Sequence, residues 1–244
     1  MEYRGSFAYE EQEFLNNYLK RRSRPDSPNN AIEEPIMNRL LGNLENKHIL
    51  DLGCGDGQYG KEIIKKEATA YTGVEGSSLM IDLARRNLAG TDAALINSSM
   101  ENFDFPANEY DIVVSRMALH YIEDVNSLFG SIYNAMKDGA KFLFSVQHPL
   151  TTASFKSKSG GERRSDWIVD DYFEQGARQE PWIGKTVVKY HRTIEFYFTA
   201  LTAARFRIEA LEEGNPERAN FVEEEEYERR KRIPIILVFS CLKG

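Results

Sequence analysis

The chain is poor in cysteine, has no long apolar run and no excess of positive charge, and each shortage removes a class of protein. Cys54 and Cys241 are its only cysteines. That is too few for a disulfide scaffold and suits a reducing compartment. No stretch of about 18 apolar residues occurs, so no membrane-spanning helix is expected. Met1-Glu2-Tyr3-Arg4 opens no apolar run, so no signal peptide is expected either, and the expected location is the cytoplasm. A net charge of −7 argues against a nucleic-acid partner, since such proteins neutralise phosphates with lysine and arginine. There is no internal repeat, and no pair of His, Asp or Glu at ligand spacing on one helix face, so no metal site is expected.

What remains is an ordinary globular composition. With 41% hydrophobic residues over 244 positions, the chain can bury one large α/β domain with insertions. Residues 6–20 carry Phe7, Tyr9, Phe14, Leu15, Tyr18 and Leu19 at amphipathic helical spacing. A turn-rich stretch from Ser23 to Asn30 breaks that helix, and a second is expected over about 32–44, with Pro35 in its first turn. Strands then alternate with helices. Strands are expected at 48–52, 70–75, 93–96, 110–115 and 141–146, and helices at 58–66, 79–88 and 125–136, with Ser77 or Ser78 capping the second of these. The order points to a Rossmann-like doubly wound sheet with helices on both faces.

After Pro149 the pattern lapses. Residues 150–185 mix charges, glycines and single aromatics without period, as expected of a lid or binding element. A helix at 193–203 and strands at 206–211 and 233–241 follow. Between those strands, Glu225/Arg229 and Glu226/Arg230 read as a solvated helix face with pairs four apart.

The chemistry centres on Asp51-Leu52-Gly53-Cys54-Gly55-Asp56-Gly57, a buried strand running into a glycine turn and a helix. Glycines allow positive φ and let a ligand lie against the backbone. The helix beyond presents free N–H groups. Gly55-Asp56-Gly57-Gln58-Tyr59-Gly60 also satisfies the dinucleotide pattern, so an NAD(P)-dependent oxidoreductase is the rival reading. Asp51 separates the two, because its carboxylate repels a pyrophosphate and attracts a cationic amino acid. Glu75, ending the next strand, can accept hydrogen bonds from both ribose hydroxyls of either cofactor.

Ile49-Leu50-Asp51-Leu52-Gly53-Cys54-Gly55-Asp56-Gly57 resembles motif I of the class I S-adenosylmethionine-dependent methyltransferases. Tyr71-Thr72-Gly73-Val74-Glu75-Gly76-Ser77 resembles their second motif. Phe103-Asp104-Phe105-Pro106, Tyr110-Asp111-Ile112-Val113-Val114-Ser115 and Ala118-Leu119-His120-Tyr121-Ile122-Glu123-Asp124 are similar to later ones. The likeness covers about residues 45–150 and is nearest the broad type 11 group. It implies a seven-stranded, mostly parallel sheet with an antiparallel last strand. The cofactor it implies is S-adenosyl-L-methionine, with S-adenosyl-L-homocysteine as product. By position, Gly53, Gly55 and Gly57 line the methionine and ribose, Asp51 holds the amino group and Glu75 the ribose hydroxyls. Gly76 and Met80 lie near ribose and adenine, and Arg116 turns its backbone carbonyl to the methionine end. Where family members often place an aspartate for the adenine amino group, this chain has Ser99, followed by Met100.

The acceptor is expected over the carboxyl ends of the strands. His120, His148 and His191 follow elements that reach that crevice and are the candidate bases or acceptor-orienting groups; His48 precedes its strand and is read as surface. Tyr121, Trp182 and Tyr190 are candidates for an aromatic wall. The chain divides into an N-terminal helical lid (1–44), a cofactor core (45–150), an acceptor-side insertion (150–190) and the end of the sheet (191–244). The expected activity is methyl transfer to an O or N of a small molecule. Its rivals are the oxidoreductase, a non-catalytic cofactor-binding or interaction protein of the same fold, and RNA methylation. The last is disfavoured by charge and by the absence of an Asn/Asp-Pro-Pro-Tyr tetrad.

Overall fold

The computed structural model describes residues 2–157 and 166–244; residues 158–165 of the expected insertion lie outside the described residues. The chain opens with β1 (Glu2–Tyr3), a tight turn of helix over Gly5–Glu10, α1 (Gln12–Arg22) and α2 (Glu34–Leu41). The alternating part is β2 (His48–Leu52), α3 (Gln58–Lys65), β3 (Ala70–Glu75), α4 (Ser78–Asn87), β4 (Ala94–Asn97), β5 (Tyr110–Arg116), α5 (Val125–Ala135) and β6 (Met136–Gln147). A short α6 (Pro149–Thr152), the strands β7 (Gly176–Trp182) and β8 (Lys185–His191), α7 (Ile194–Ala203), β9 (Phe206–Glu213), α8 (Glu224–Arg230) and β10 (Ile236–Lys243) complete it.

Seven strands form the main sheet in the order β4-β3-β2-β5-β6-β10-β9. β10 runs antiparallel to both its neighbours and the other six run one way, as the doubly wound reading requires. Side chains alternate across it with period two. Leu50, Val113, Phe142 and Phe144 pack on one face with Phe129 and Tyr197 of α5 and α7. Ile49, Ile112, Val114 and Leu143 pack on the other with Met37, Leu41 and Ile63 of α2 and α3. Both faces are apolar because both are covered, which is why the strands read as continuous hydrophobic runs. Ser77 caps α4, its hydroxyl accepting the Met80 N–H at 3.2 Å.

Three expectations change. The single helix at 6–20 is split: Glu11 is extended, and it separates the tight turn over Gly5–Glu10 from α1. The irregular stretch after residue 150 contains a regular hairpin. β7 and β8 pair antiparallel, and β1 adds in parallel through Glu2 with Thr186 and Tyr3 with Val187, making a second sheet of three strands. Its two-residue turn is Ile183-Gly184, both at positive φ (49° and 74°). Such turns normally carry Asn-Gly or Asp-Gly, and a β-branched residue there gives no signal. Finally, α8 is solvated on one side only: Glu224, Glu225 and Glu228 are exposed and the expected Glu226/Arg230 pair forms, but it forms on a buried face. Glu226 is buried and takes both Arg229 (3.0 Å) and Arg230 (2.6 Å).

Candidate functional site

The glycine turn sits at the carboxyl ends of β2 and β3. Gly53, Gly55 and Gly57 have φ of 77°, 57° and 75°, so all three need the freedom that only glycine has without strain. The N–H groups of Gly53 and Cys54 bond the Val74 carbonyl at 2.8 and 3.1 Å, clamping the turn to β3. A Cβ on Gly53 would fall 2.7 Å from Ala118 and 2.8 Å from Met100, while one on Gly55 would meet nothing within 4 Å. The turn is packed on one side and open on the other.

Two carboxylates flank it. The Glu75 carboxylate accepts the N–H of Gly55 at 3.0 Å and of Ser77 at 2.8 Å. Burial pushes its carboxyl above the ordinary value despite those backbone donors. Asp51 is buried and accepts the Tyr71 hydroxyl at 2.8 Å. Burial, opposed by Tyr71 and Arg116, pushes Asp51 up to about 6. Gly60 has its own reason here. A Cβ on it would fall 2.5 Å from the Tyr71 ring, so this glycine makes room for the tyrosine that holds Asp51. The third glycine of the dinucleotide pattern is thus explained by packing. Neither Tyr71 nor this use of Gly60 shows in the sequence, because both depend on strand pairing.

The N-terminal segment crosses the second motif. A Cβ on Gly76 would lie 2.5 Å from the Ser6 hydroxyl and 3.6 Å from the Ser99 Cα. The Ser77 hydroxyl donates to the Tyr9 carbonyl at 3.3 Å, and Glu10 accepts the N–H and hydroxyl of Ser78 at 2.5 and 2.6 Å. Met80 is buried in α4 just behind, and Met100 lies against Gly53. The Arg116 side chain is taken up by partners outside the turn. It makes two-pronged contact with the fully buried Glu33 (Nη2–Oε2 2.6 Å) and lies 4.0 Å over the Tyr59 ring.

Beside the turn lies a cavity of about 610 Å3. The glycine turn, Asp51 and Glu75 do not line it; Tyr9 does, bonded to Ser77 by its carbonyl and to the Tyr121 hydroxyl at 3.2 Å by its own. Tyr9 therefore belongs to both places. Its ring packs edge-on against Tyr18, 4.9 Å away, which also lines the cavity. The strand-end side is Met117, His120, Tyr121 and Gln147; the hairpin supplies Glu180, Trp182 and Lys189; α1 and α8 supply arginines. Lys189 and Glu180 form an ion pair that is almost wholly buried. Burial opposes the charge on Lys189, but Glu180 outweighs it and holds the ammonium above its ordinary value. Lys189 also lies 5.2 Å over both the Tyr121 and Trp182 rings.

Of the three candidate histidines, the structure brings only His120 to this cavity. It is 2% exposed, and its Nδ1 accepts the Gln147 N–H at a long 3.4 Å. Burial, aided by the nearby Lys189, holds the ring well below its ordinary value, so it is neutral at pH 7. With Nδ1 accepting, the hydrogen sits on Nε2, and His120 offers a donor rather than a base. His148 caps α6, taking the Leu150 N–H at 3.1 Å, with Nε2 2.8 Å from Glu213. His191 bonds the Thr152 hydroxyl at 2.5 Å and donates to the Tyr172 carbonyl at 2.8 Å. Both rings are fully engaged away from the cavity, because α6 and β8 end where backbone groups need partners. Tyr121 and Trp182 line the cavity as the aromatic wall predicts. Tyr190 does not; its hydroxyl bonds Glu123 at 2.9 Å. Gln147, Glu180, Lys189 and Arg230 were not legible as site residues, since they meet only when the hairpin and α8 fold onto the sheet.

Among the described residues, no group of three or more His, Cys, Asp or Glu could hold a metal ion, and no helix is long and apolar enough to cross a membrane.

Residues 49–139 match the family model of a methyltransferase domain. An uncharacterized protein of Haemophilus influenzae is 31% identical over 216 residues, 84% of this chain and 85% of the relative. The crystal structure of an S-adenosylmethionine dependent methyltransferase from Mesorhizobium loti superposes with a TM-score of 0.78 at 31% identity, covering 86% of this chain and 97% of that one. A putative S-adenosylmethionine dependent methyltransferase from Listeria monocytogenes gives 0.79 at 28% identity, with 86% and 96% covered.

Proposed function

The chain belongs to the class I S-adenosylmethionine-dependent methyltransferases, and from that premise we propose that it methylates an oxygen or nitrogen of a small molecule held in the cavity beside the glycine turn. One observation carries the small-molecule part. The cavity's 610 Å3 falls within the roughly 300–1,000 Å3 of small-ligand pockets, and it shares Tyr9 with the cofactor motif. The oxidoreductase reading is not favoured: the Asp51 carboxylate at the end of β2 would repel a pyrophosphate.

The turn suits the cofactor. Gly55 leaves its open side free for a ligand, and Glu75 has lone pairs left for ribose hydroxyls beyond its two backbone donors. When bound, S-adenosylmethionine supplies a methyl group already activated on a cationic sulfur, so alignment of the acceptor contributes most of the rate. Asp51 holds the amino group and Glu75 the ribose, with the N-terminal segment covering the ribose side. His120, through its Nε2–H, orients the acceptor atom. The acceptor's proton passes to water, since the ring has no free lone pair to take it. The test is release of S-adenosylhomocysteine on incubation with small hydroxyl and amine compounds, beside an RNA and a protein. Turnover on the small molecules is expected; turnover on the polymers alone overturns the reading.

Asp51 gives the site a pH dependence. A cationic amino group prefers the ionised carboxylate. Affinity for S-adenosylhomocysteine should therefore hold above about pH 6 and fall by up to about tenfold per unit below it. Folding has the opposite sign: a raised carboxyl keeps its proton folded and loses it unfolded, so its contribution is full below 3.8 and lost as pH rises through about 6. Calorimetry across that range should give a sloping profile for the native chain and a shallower one for Asp51→Asn, in which the raised Glu75 carboxyl still titrates. A flat native profile removes Asp51 from the amino group.

A further inference from the structure

Gln147 and Arg230, both lining the cavity, each hold a buried polar atom without a hydrogen-bond partner among the described residues, and the two are of opposite kind. The Gln147 amide donates to the Glu180 carboxylate at 3.3 Å. A carboxylate only accepts, so this contact fixes which way the amide points. The Gln147 carbonyl oxygen is then left buried without a donor. On α8, Arg230 gives Nη2 to Glu226 at 2.6 Å and shares that one carboxylate with Arg229. Its Nε is left buried without an acceptor.

A buried polar group without a partner costs about 1–3 kcal/mol, and more when charged. Native proteins keep few of them, and each needs an account. Both side chains line one cavity, where a small turn of each lets a ligand supply what its buried atom lacks. Gln147 calls for an O–H or N–H; Arg230 calls for an oxyanion. Arg21 reinforces the second demand. It lies 4.9 Å over the Trp182 ring at the cavity wall and has no ion pair among the described residues. Glu226 does not oppose an anion, because two guanidiniums already span it. The same cavity is partly aromatic, through Tyr121 and Trp182.

We infer that the methyl acceptor is a small organic oxyanion bearing a hydroxyl or amino group, its acidic end on Arg230 and its donor on Gln147. This rests on the methyl-transfer reading above and narrows its substrate. Transfer to that hydroxyl or amine forms the new carbon–oxygen or carbon–nitrogen bond as the carbon–sulfur bond breaks. The electron pair of the broken bond stays on sulfur, and the acceptor's proton goes to water.

The experiment is calorimetry on the full chain saturated with S-adenosylhomocysteine. The titrants are para-hydroxybenzoate, para-aminobenzoate and para-hydroxyphenyl phosphate, against para-hydroxybenzamide and benzoate. The oxyanions should bind at least about tenfold tighter than the amide, and the carboxylate and phosphate arms tell which acid the site prefers. Arg230→Gln should erase that advantage and Gln147→Leu the advantage of para-hydroxybenzoate over benzoate, with S-adenosylhomocysteine affinity kept in both. Arg230→Lys, which keeps the charge and drops Nε, makes the same comparison if the glutamine variant fails to fold. Oxyanions binding no tighter than the amide, or not at all, overturn the inference. Failure of the native chain to bind S-adenosylhomocysteine overturns instead the reading on which it rests.

Discussion

Glu75→Ala should lower affinity for S-adenosylhomocysteine by about a hundredfold or more. The carboxylate would accept two ribose hydroxyls, and a hydrogen bond to a charged group contributes about 1.5–3 kcal/mol. Losing two therefore spans roughly two to four powers of ten in affinity. The same carboxylate also accepts the Gly55 and Ser77 N–H groups, so alanine releases the turn as well as the ligand. Glu75→Gln separates the two roles. It keeps one accepting oxygen and the volume, and should retain more of the fold than of the affinity. Calorimetry with urea unfolding alongside measures both. Native affinity in the alanine variant would undo the assignment of the second motif.

Glu33→Gln should cost about 3–5 kcal/mol of folding stability, the loss typical of breaking a buried ion pair from one side. Glu33 is fully buried, and the partner left behind is the Arg116 guanidinium, itself 8% exposed. Burial works against ionising Glu33, but the charge and paired hydrogen bonds of Arg116, with the Ser145 hydroxyl at 2.5 Å, outweigh it and hold its carboxyl below the ordinary value. A lowered carboxyl contributes stability that is present above its unfolded pKa and disappears as pH falls through the folded one. Urea midpoints should therefore show the variant's deficit at neutral pH and a smaller one in acid. The double change Glu33→Leu with Arg116→Met should recover much of the loss, because it leaves no charge stranded. A single variant as stable as the native chain would show that the pair adds nothing.

The parallel sheet was readable from the chain because each strand is buried on both faces and ends in a turn signal. His48–Leu52 and Ala70–Glu75 were found to the residue, and the reversed final strand followed from the resemblance. That Asp51, the three glycines and Glu75 gather around one turn was readable too, since they are close in sequence. The lining of the cavity was not. His120 could be picked out by its place after β5, but His148 and His191 looked equivalent to it, and only their partners tell them apart. The hairpin was hidden by an Ile-Gly turn and by a strand holding Gln179, Glu180 and Pro181, which carries no apolar alternation. Gln147 and Arg230 are 83 positions apart, and nothing local connects them.

The pairing of β1 with β8 has a consequence for synthesis. Glu2 finds its partner only when Thr186 has been made, long after the strands β2 to β6 are complete. A chain emerging from the ribosome can complete the strands that carry the glycine turn while β1 still lacks its partner. In the finished protein β1 is fastened to the hairpin by two residue pairs, while Tyr9 and Glu10 just after it are tied to Ser77 and Ser78 at the head of α4, so the first ten residues join two sheets that fold at different times.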